Sequence, residues 1–378
     1  MSIEPVRAAL RTVTARHRPG SSIENGKLYH DLPFAGLEGI PSHRLATAGR
    51  ITQILAEVDV RGRRVLDLGC GPGGISIGLA LAGADHVLGV DYDKQALEVA
   101  RAAAEHLGIS SRVRFEHGNL NKALPAGDGW DVVIWLSQWM WMVKQQGRAE
   151  ALDQLHDVSR RAKVLVFETA ADDGEAAIRG TNQGIIAGWL EAAIVHRKIG
   201  TIASAGNWFE RPVHFCRDPR ATWIGSRAAI ERVDRKSVTK CYAKSAPDWM
   251  PKRESVALQR LDGSSHVPRL LEMIDERTLR IEWAGWPERV QHRMLSQGDR
   301  LLADLKDARI RHRDIRPPNL LGINGRLKLI DFEWALFDDE ADTPAPGPPE
   351  LGTMPNGRRF GPGDARALAE IFQDLERR

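Results

Sequence analysis

The stretch VLDLGCGPGG at residues 65–74 decides the fold of the first half of the chain. A short apolar strand runs into a glycine-rich turn, and a helix is predicted over residues 71–82. Glycines let the backbone turn sharply and let a ligand approach main-chain N–H groups closely. The order of strand, glycine-rich turn and helix predicts a nucleotide-binding loop, with a tight turn that binds nothing as the alternative.

Strands and helices continue to alternate along the chain beyond this turn. We predict strands at residues 86–90, 113–116, 131–136 and 164–168, and helices at residues 94–106 and 149–161. Strands separated by helices indicate a mostly parallel sheet, so the fold class is α/β with a Rossmann-like sheet. After a last strand at residues 212–216 comes the polar stretch RDPR, which we take as the boundary between domains of residues 1–216 and 217–378.

Polar residues follow successive predicted strands at the sheet edge where ligands bind in such folds. Asp91 ends the second strand, where a carboxylate can accept hydrogen bonds from both ribose hydroxyls of a nucleoside. Asn119 follows the third strand and Ser137 the fourth. The pattern therefore predicts a nucleoside-containing ligand.

These residues resemble the class I S-adenosylmethionine-dependent methyltransferases over about residues 50–170. The resemblance implies S-adenosylmethionine as cofactor, with the first loop on its methionine moiety, Asp91 on the ribose and Tyr92 beside the adenine. Asn119 stands where the family usually has Asp. The implied cofactor-binding residues are Asp67, Gly69, Gly71, Gly73, Asp91, Tyr92, Asn119, Leu120 and Ser137. No Asn-Pro-Pro-Tyr motif follows the fourth strand, which disfavours methylation of nucleic-acid bases.

Two groups of residues are candidates for holding the methyl acceptor. Four tryptophans lie between Trp130 and Trp141, and they form either part of the core or an acceptor platform. Tyr29, His30 and Arg44 are the other candidates, and a structural role for each is an equal alternative.

A second constellation, HRDIRPPN at residues 312–319, is followed by Asp331 after a predicted hairpin. Phosphoryl transfer needs an acid near the acceptor hydroxyl, metal ligands and cations on the phosphates. The spacing resembles the catalytic loop and the Asp-Phe-Gly motif of the protein-kinase-like fold. The resemblance implies that ATP is a substrate, that Asp314 is the base, that Asn319 and Asp331 hold Mg²⁺, and that Arg316 contacts the γ-phosphate.

An upstream lysine and glutamate are candidates for the ion pair that orients the α- and β-phosphates. Lys240 lies on an alternating strand, and Glu254 begins an apolar-periodic helix. A solvated lysine is the alternative, and Lys244 is the rival residue. Residues 281–283 resemble the hinge that holds the adenine, and Asp364 resembles the carboxylate that braces the catalytic loop. The predicted second domain is therefore an α+β protein-kinase-like domain.

The second domain departs from the kinase pattern in two places. No glycine-rich loop is present, and Gly225 alone lies in the corresponding region. Glu333 replaces the glycine of the Asp-Phe-Gly motif. Neither departure removes a charged catalytic group, and the two concern the clamping of the phosphates and activation by loop flipping.

The combination of the two domains resembles the bifunctional kinase–methyltransferases that terminate O-antigen chains. This resemblance implies phosphorylation of a sugar on a glycan or glycolipid, followed by methylation of that phosphate. One alternative is a tailoring kinase and O-methyltransferase of a small metabolite. The other alternative is a scaffold with a degenerate kinase.

Length and composition agree with a two-domain enzyme. The chain has 378 residues, which is more than one ordinary domain. Its 53 basic and 50 acidic residues leave a net charge of +3, too small to indicate a nucleic-acid partner. Three distant cysteines exclude a disulfide framework. Since no apolar run reaches the ~18 residues of a membrane span, we expect a cytoplasmic protein and leave peripheral membrane association open.

Overall fold

The chain divides into two compact units, residues 1–220 and residues 221–378. The computed structural model describes residues 3–11, 23–24, 26–125, 127, 129–136, 138–169, 197–203, 210–216, 222–224, 227–288, 290–339 and 363–377.

The first unit contains both helices and strands. Its helices are α1 (Glu4–Arg11), α2 (Thr47–Glu57), α3 (Gly74–Leu81), α4 (Lys94–His106), α5 (Trp139–Gln146) and α6 (Arg148–Ser159). Its strands are β1 (Ile23–Glu24), β2 (Lys27–Leu28), β3 (Arg64–Leu68), β4 (His86–Asp91), β5 (Val113–His117), β6 (Trp130–Trp135), β7 (Ala162–Glu168), β8 (Arg197–Ala203) and β9 (Glu210–Cys216).

The main sheet of this unit has the order β5-β4-β3-β6-β7-β9-β8 among the described strands. Strands β3 to β7 pair in parallel, and β9 runs antiparallel to both β7 and β8. The central parallel strands β3, β4 and β6 are buried nearly throughout, as in the run Val132–Trp135, because helices cover parallel sheets on both faces. The edge strand β5 exposes three of its five residues. The predicted α/β fold with a Rossmann-like parallel sheet is confirmed.

Two helices differ from the expectation. Helix α3 begins at Gly74, three residues later than predicted, because Gly71 and Gly73 both adopt positive φ values that a helix does not accommodate. Helix α5 forms over residues predicted only as a tryptophan-rich segment. Its apolar residues do not follow a single helical face, so periodicity alone did not identify it.

The second unit combines one larger sheet with short hairpins and helices. Its strands are β10 (Thr222–Ile224), β11 (Ala228–Arg232), β12 (Ser237–Tyr242), β13 (Leu270–Met273), β14 (Thr278–Glu282), β15 (Ile310–Arg311), β16 (Leu320–Ile323), β17 (Arg326–Leu329) and β18 (Leu336–Phe337). Its helices are α7 (Trp249–Arg260), α8 (Gly298–Asp307) and α9 (Asp364–Glu376), with short 3₁₀ helices at His292–Gln297 and Pro317–Asn319.

The larger sheet of the second unit is antiparallel, with the order β10-β11-β12-β14-β13. Lys240 lies on the central strand β12, where it pairs with Ile230 of β11 and with Leu279 of β14. Strands β16 and β17 form a separate hairpin between the catalytic-loop motif and Asp331. One apolar core joins the sheet, α7, α8 and α9.

None of the helices in the described ranges combines the length and the hydrophobicity that a membrane span requires.

Candidate functional sites

The glycine-rich turn after β3 is shaped by left-handed backbone conformations. Gly69, Gly71 and Gly73 have φ values of 78°, 52° and 83°, which favour glycine. The Gly69 N–H donates to the Val90 carbonyl at 2.8 Å, so the turn is tied to β4. A Cβ atom on Gly69 would collide with the Gln138 side chain. The turn therefore needs glycine both for its conformation and for its close packing.

Asp91 at the end of β4 also holds this turn. Its Oδ2 accepts a hydrogen bond from the Gly71 N–H at 2.8 Å, and its Oδ1 accepts one from the Asp93 N–H at 2.8 Å. Burial raises the pKa of Asp91 above its ordinary value, although these hydrogen bonds act in the opposite direction. A carboxylate offers about four lone-pair positions, so both oxygens retain capacity to accept from ribose hydroxyls.

A cavity of about 320 Å³ opens beside this turn. Five of the predicted cofactor residues line it, namely Gly69, Asp91, Tyr92, Asn119 and Leu120. Sequence reasoning missed six further lining residues, which are Gly118, Asn121, Gln138, Trp141, Met142 and Gln145. Most of these come from the loop after β5 or from α5, and the carboxyl-end rule for parallel strands could have indicated both segments.

Four predicted cofactor residues do not line the cavity or are not described. Gly71 and Gly73 shape the turn from behind. Asp67 is buried and accepts a hydrogen bond from the Ser76 hydroxyl at 2.6 Å, so it joins β3 to α3. Burial, together with the nearby Asp91, raises the pKa of Asp67 to about 7. Ser137 lies outside the described residues.

The tryptophan cluster divides between the core and the cavity. Trp130, Trp135 and Trp139 are at most 3% exposed and belong to the core. Trp141 is 41% exposed and lines the cavity, as Tyr92 does. Three of the four tryptophans are therefore core residues, and the acceptor platform stays a prediction for Trp141.

The structure brings the other acceptor candidates into two contacts. The Arg44 guanidinium lies 4.3 Å from the centre of the Tyr29 ring. His30 Nε2 lies 3.2 Å from an Arg50 nitrogen, and Arg50 lies 3.5 Å from the buried carboxylate of Glu168. Sequence reasoning did not predict the contacts of Arg50 with His30 and with Glu168. Arg50 lies on α2 and Glu168 at the end of β7, and these two elements meet only in the folded chain.

The second unit contains a larger cavity, of about 540 Å³, which five of the predicted catalytic and metal residues line. They are Lys240, Glu254, Arg316, Asn319 and Asp331. The hinge candidates, residues 281–283, line it as well.

Lys240 is the centre of a buried ionic cluster. Its Nζ lies 2.7 Å from Glu254 Oε2, 2.6 Å from Asp331 Oδ1 and 3.9 Å from Glu333 Oε2. Burial lowers the pKa of Lys240, but Asp331 and Glu254 outweigh burial and hold that pKa well above its usual range. Lys244, the rival residue, is exposed. The cluster therefore keeps a charged ammonium group at the cavity wall.

The carboxylate of Asp314 contacts two other candidates. The Asn319 side-chain nitrogen donates to Asp314 Oδ2 at 3.0 Å, and Arg316 Nε forms an ion pair with Asp314 Oδ1 at 3.2 Å. Burial raises the pKa of Asp314 to about 6, with Asp331 adding to the rise and Arg316 opposing it. Asp314 is therefore a carboxylate poised near neutral pH, as a general base requires.

The loop that carries Asp314 is braced from behind. Asp364 accepts hydrogen bonds from the backbone N–H groups of His312 and Arg313 at 2.6 and 2.9 Å. His312 is fully buried, lies 3.0 Å from the Ile330 carbonyl through Nε2, and its pKa is lowered by burial. These contacts join the catalytic loop to the segment that carries Asp331.

The donor set near Asp331 is compatible with a magnesium ion bound together with nucleotide phosphates. Among the described residues no cluster of three or more His, Cys, Asp or Glu side chains forms an all-protein metal cage. Mg²⁺ in such sites takes only one or two protein carboxylates and completes its shell with phosphates and water. Asp331 supplies a carboxylate, and the amide oxygen of Asn319 is a second hard donor, because its nitrogen already donates to Asp314.

Comparison with known proteins finds sequence matches within the first unit. Residues 65–162 match the model of the methyltransferase domain family. The ribosomal protein L11 methyltransferase of Deinococcus radiodurans is 38% identical over 92 residues, which are 24% of this chain and 34% of that protein. The chain thus spans about a third of that relative's length. The matched region is therefore similar to methyltransferase domains, in agreement with its glycine-rich turn.

Some solved structures are similar to this chain over most of its length. The bifunctional kinase–methyltransferase WbdD is 17% identical, with a TM-score of 0.46, over 97% of this chain and 95% of that one. Magnesium protoporphyrin IX methyltransferase from Synechocystis PCC 6803, with bound S-adenosylhomocysteine, is 21% identical, with a TM-score of 0.37, over 46% and 81% of the two chains. A bifunctional kinase–methyltransferase is therefore among the structural neighbours, as the motifs led us to expect.

Proposed function

We propose that the chain is a bifunctional enzyme that phosphorylates a sugar hydroxyl with ATP and methylates the new phosphate with S-adenosylmethionine. The acceptor is a glycan or glycolipid, by the resemblance of the motifs. Methyl transfer belongs to the domain of residues 1–216, and phosphoryl transfer to the domain of residues 217–378.

The observation that carries the phosphotransfer proposal is the cluster around Lys240. A fully buried lysine shared by Glu254 and Asp331 is costly to maintain unless its charge is used, since removing ions from water carries a large penalty. The same cavity wall carries Arg316 and Asn319. The assembly matches the needs of phosphoryl transfer, which are positioning and charge stabilisation. It therefore favours an active kinase over a degenerate scaffold.

In this proposal the residues of the second domain act as follows. Lys240 donates to the α- and β-phosphates and is oriented by Glu254. Asn319 and Asp331 hold Mg²⁺, which neutralises charge on the phosphates when bound. Asp314 accepts the proton of the acceptor hydroxyl, and Arg316 contacts the γ-phosphate. Asp364 keeps the Asp314 loop in place through the backbone of His312 and Arg313.

The residues of the first domain bind and align the methyl donor. The turn at Gly69 and Gly71 receives the methionine moiety, and Asp91 accepts from the ribose hydroxyls. Tyr92, Asn119 and Trp141 line the same cavity, where a flat adenine ring can stack or form hydrogen bonds. An ionised phosphate needs no base to attack the methyl group, so alignment is the main requirement.

The test is transfer from labelled ATP and labelled S-adenosylmethionine to cell-derived glycans by the purified chain. Mass spectrometry should show products that carry one phosphate, and one phosphate plus one methyl group. Asp331→Ala should abolish both products while leaving S-adenosylmethionine affinity unchanged. Asp338→Ala is the matched control, because Asp338 pairs with Arg311 at the surface. Absence of ATP turnover in the unaltered chain would support the scaffold instead, and products on small metabolites only would support the tailoring enzyme.

A further inference from the structure

Glu333, which replaces the motif glycine, forms an ion pair at the wall of the larger cavity. Its side chain is almost completely buried, and its Oε1 accepts a hydrogen bond from Arg227 Nε at 2.7 Å. Its other oxygen lies 3.9 Å from Lys240 Nζ. A buried carboxylate is costly unless cationic groups compensate its charge. Arg227 is such a partner for Glu333.

Arg227 lies in the connection between the first two strands of the second unit. Ile224 of β10 pairs with Ala229 of β11, so residues 225–228 separate the two paired positions. The Arg227 carbonyl accepts a hydrogen bond from the Ala243 N–H at 2.8 Å, so Arg227 is anchored to the residue after β12. In protein kinases a glycine-rich loop covers the nucleotide phosphates. Here a guanidinium group belongs to the corresponding connection.

The Arg227 side chain is held in place but remains accessible. Glu333 holds its Nε, and the guanidinium lies 5.3 Å from the centre of the buried Trp334 ring. The side chain is 21% exposed and lines the cavity together with Lys240 and Arg316. An arginine fixed between a carboxylate and an aromatic ring loses little further freedom when it binds an anion.

Phosphates at this wall would lie beside three carboxylates, because Glu254, Asp331 and Glu333 all lie within 4 Å of the Lys240 ammonium group. Cations besides Lys240, namely the proposed Mg²⁺ and arginine side chains, therefore help to hold the phosphates there. A nucleoside triphosphate carries several further negative charges on its phosphates. Arg227 and Arg316 are the other cationic side chains that line the cavity in the described part of the chain.

We infer that Arg227 binds phosphate oxygens of ATP in place of a glycine-rich loop, and that Glu333 is the positioning residue that holds Arg227 for this task. The inference rests on the proposed phosphotransfer function. Backbone N–H groups serve as phosphate donors in glycine-rich loops, and a planar guanidinium with five N–H donors can replace them. The absence of a glycine-rich loop and the glutamate in the Asp-Phe-Glu motif are thus two linked departures from the kinase pattern.

The test measures binding of MgATP and of adenosine by calorimetry. Arg227→Ala should weaken MgATP binding by about tenfold or more, the loss of one charge-assisted contact, and leave adenosine binding unchanged. Arg227→Lys should restore part of the loss. Arg280→Ala is the matched control, since Arg280 lies on the same sheet and pairs with Asp234 at the surface.

Unchanged MgATP affinity in a folded Arg227→Ala variant would overturn this inference alone. Failure of the unaltered chain to bind MgATP would overturn the phosphotransfer proposal as well.

The role of Glu333 is tested through its dependence on Arg227. Glu333→Gln should weaken MgATP binding when Arg227 is present, because the guanidinium loses its anchor. In the Arg227→Ala background the same substitution should cause no further weakening, since it then only removes a negative charge near the phosphates. Equal weakening in both backgrounds would show that Glu333 does not act through Arg227.

Discussion

At the scale of single residues, Asp91 combines a structural contact with a proposed binding contact. Its two oxygens already hold the Gly71 and Asp93 N–H groups, and the ribose hydroxyls are its proposed ligands. We expect Asp91→Ala to weaken S-adenosylmethionine binding by about tenfold or more, because hydrogen bonds to a charged group are lost. Calorimetry measures the affinity.

The neighbouring Asp93 provides the control for this substitution. Its carboxylate caps α4 by accepting from the Gln95 and Ala96 N–H groups, and it does not line the cavity. Asp93→Ala should lower stability by about 1 kcal/mol through loss of the cap, with no effect on donor affinity. Equal affinities of the Asp91 and Asp93 variants would contradict the binding assignment.

We expect Asp314 to make the rate of the proposed phosphotransfer depend on pH. Its pKa is raised from 3.8 to about 6, and a general base must be ionised to accept a proton. The rate constant kcat/KM should therefore be half-maximal near pH 6, level off about one pH unit above it, and fall as the pH decreases further. Arg316→Gln removes a cation that lowers this pKa, so it should move the acid limb to higher pH, whatever its effect on the maximal rate. An acid limb near pH 4 in the unaltered chain would exclude Asp314 as the base.

At the scale of elements, the turn between β3 and α3 depends on packing as well as on backbone conformation. A Cβ atom on Gly73 would lie 2.8 Å from the Phe115 ring and 2.9 Å from the Ala100 Cβ, and φ is 83°. Gly62 also has a positive φ, 66°, but a Cβ there would meet no atom within 4 Å. Comparing the two glycines therefore separates the free-energy cost of a left-handed backbone from the cost of steric crowding by an added methyl group.

We expect Gly62→Ala to cost about 1–2 kcal/mol from the left-handed backbone alone. Gly73→Ala should cost about 1–3 kcal/mol more, because the methyl group also displaces the packed ring. Denaturant unfolding of the two variants measures the difference. An equal loss in the free energy of unfolding would mean that the residues around Gly73 move to make room for the added methyl group.

The sequence predicted the elements whose residues show a local pattern, such as an apolar strand or a motif of fixed spacing. Asp91 and Lys240 lie on strands whose apolar pattern is visible in the chain, and the spacing of Asp314 and Asn319 matched the kinase-like catalytic-loop motif. Contacts that depend on topology could not be predicted. Arg227 and Glu333 are 106 residues apart and meet only after the sheet and the catalytic loop have formed. Burial likewise separates Lys240 from the exposed Lys244, in agreement with the alternating strand that favoured Lys240.

At the scale of the whole molecule, the two proposed activities are linked by the chemistry of the acceptor. A neutral sugar hydroxyl is a poor nucleophile and needs a base to accept its proton. A phosphate monoester is ionised at neutral pH and needs only alignment with the methyl group and some neutralising charge. A chain that makes the phosphate in one domain can therefore methylate it in the other without a dedicated base.

Methylation should accordingly depend on prior phosphorylation. An Asp314→Ala variant should transfer no labelled methyl group to an unphosphorylated glycan, because it cannot make the ionised nucleophile. The same variant should methylate a chemically phosphorylated glycan at the rate of the unaltered chain, since its methyl-donor cavity is intact. The measurement is radiolabel from S-adenosylmethionine in both acceptors, with the unaltered chain plus ATP as the reference. Equal labelling of the unphosphorylated acceptor would instead indicate an independent O-methyltransferase that uses a base, and His30, which contacts Arg50, would be the first residue to replace.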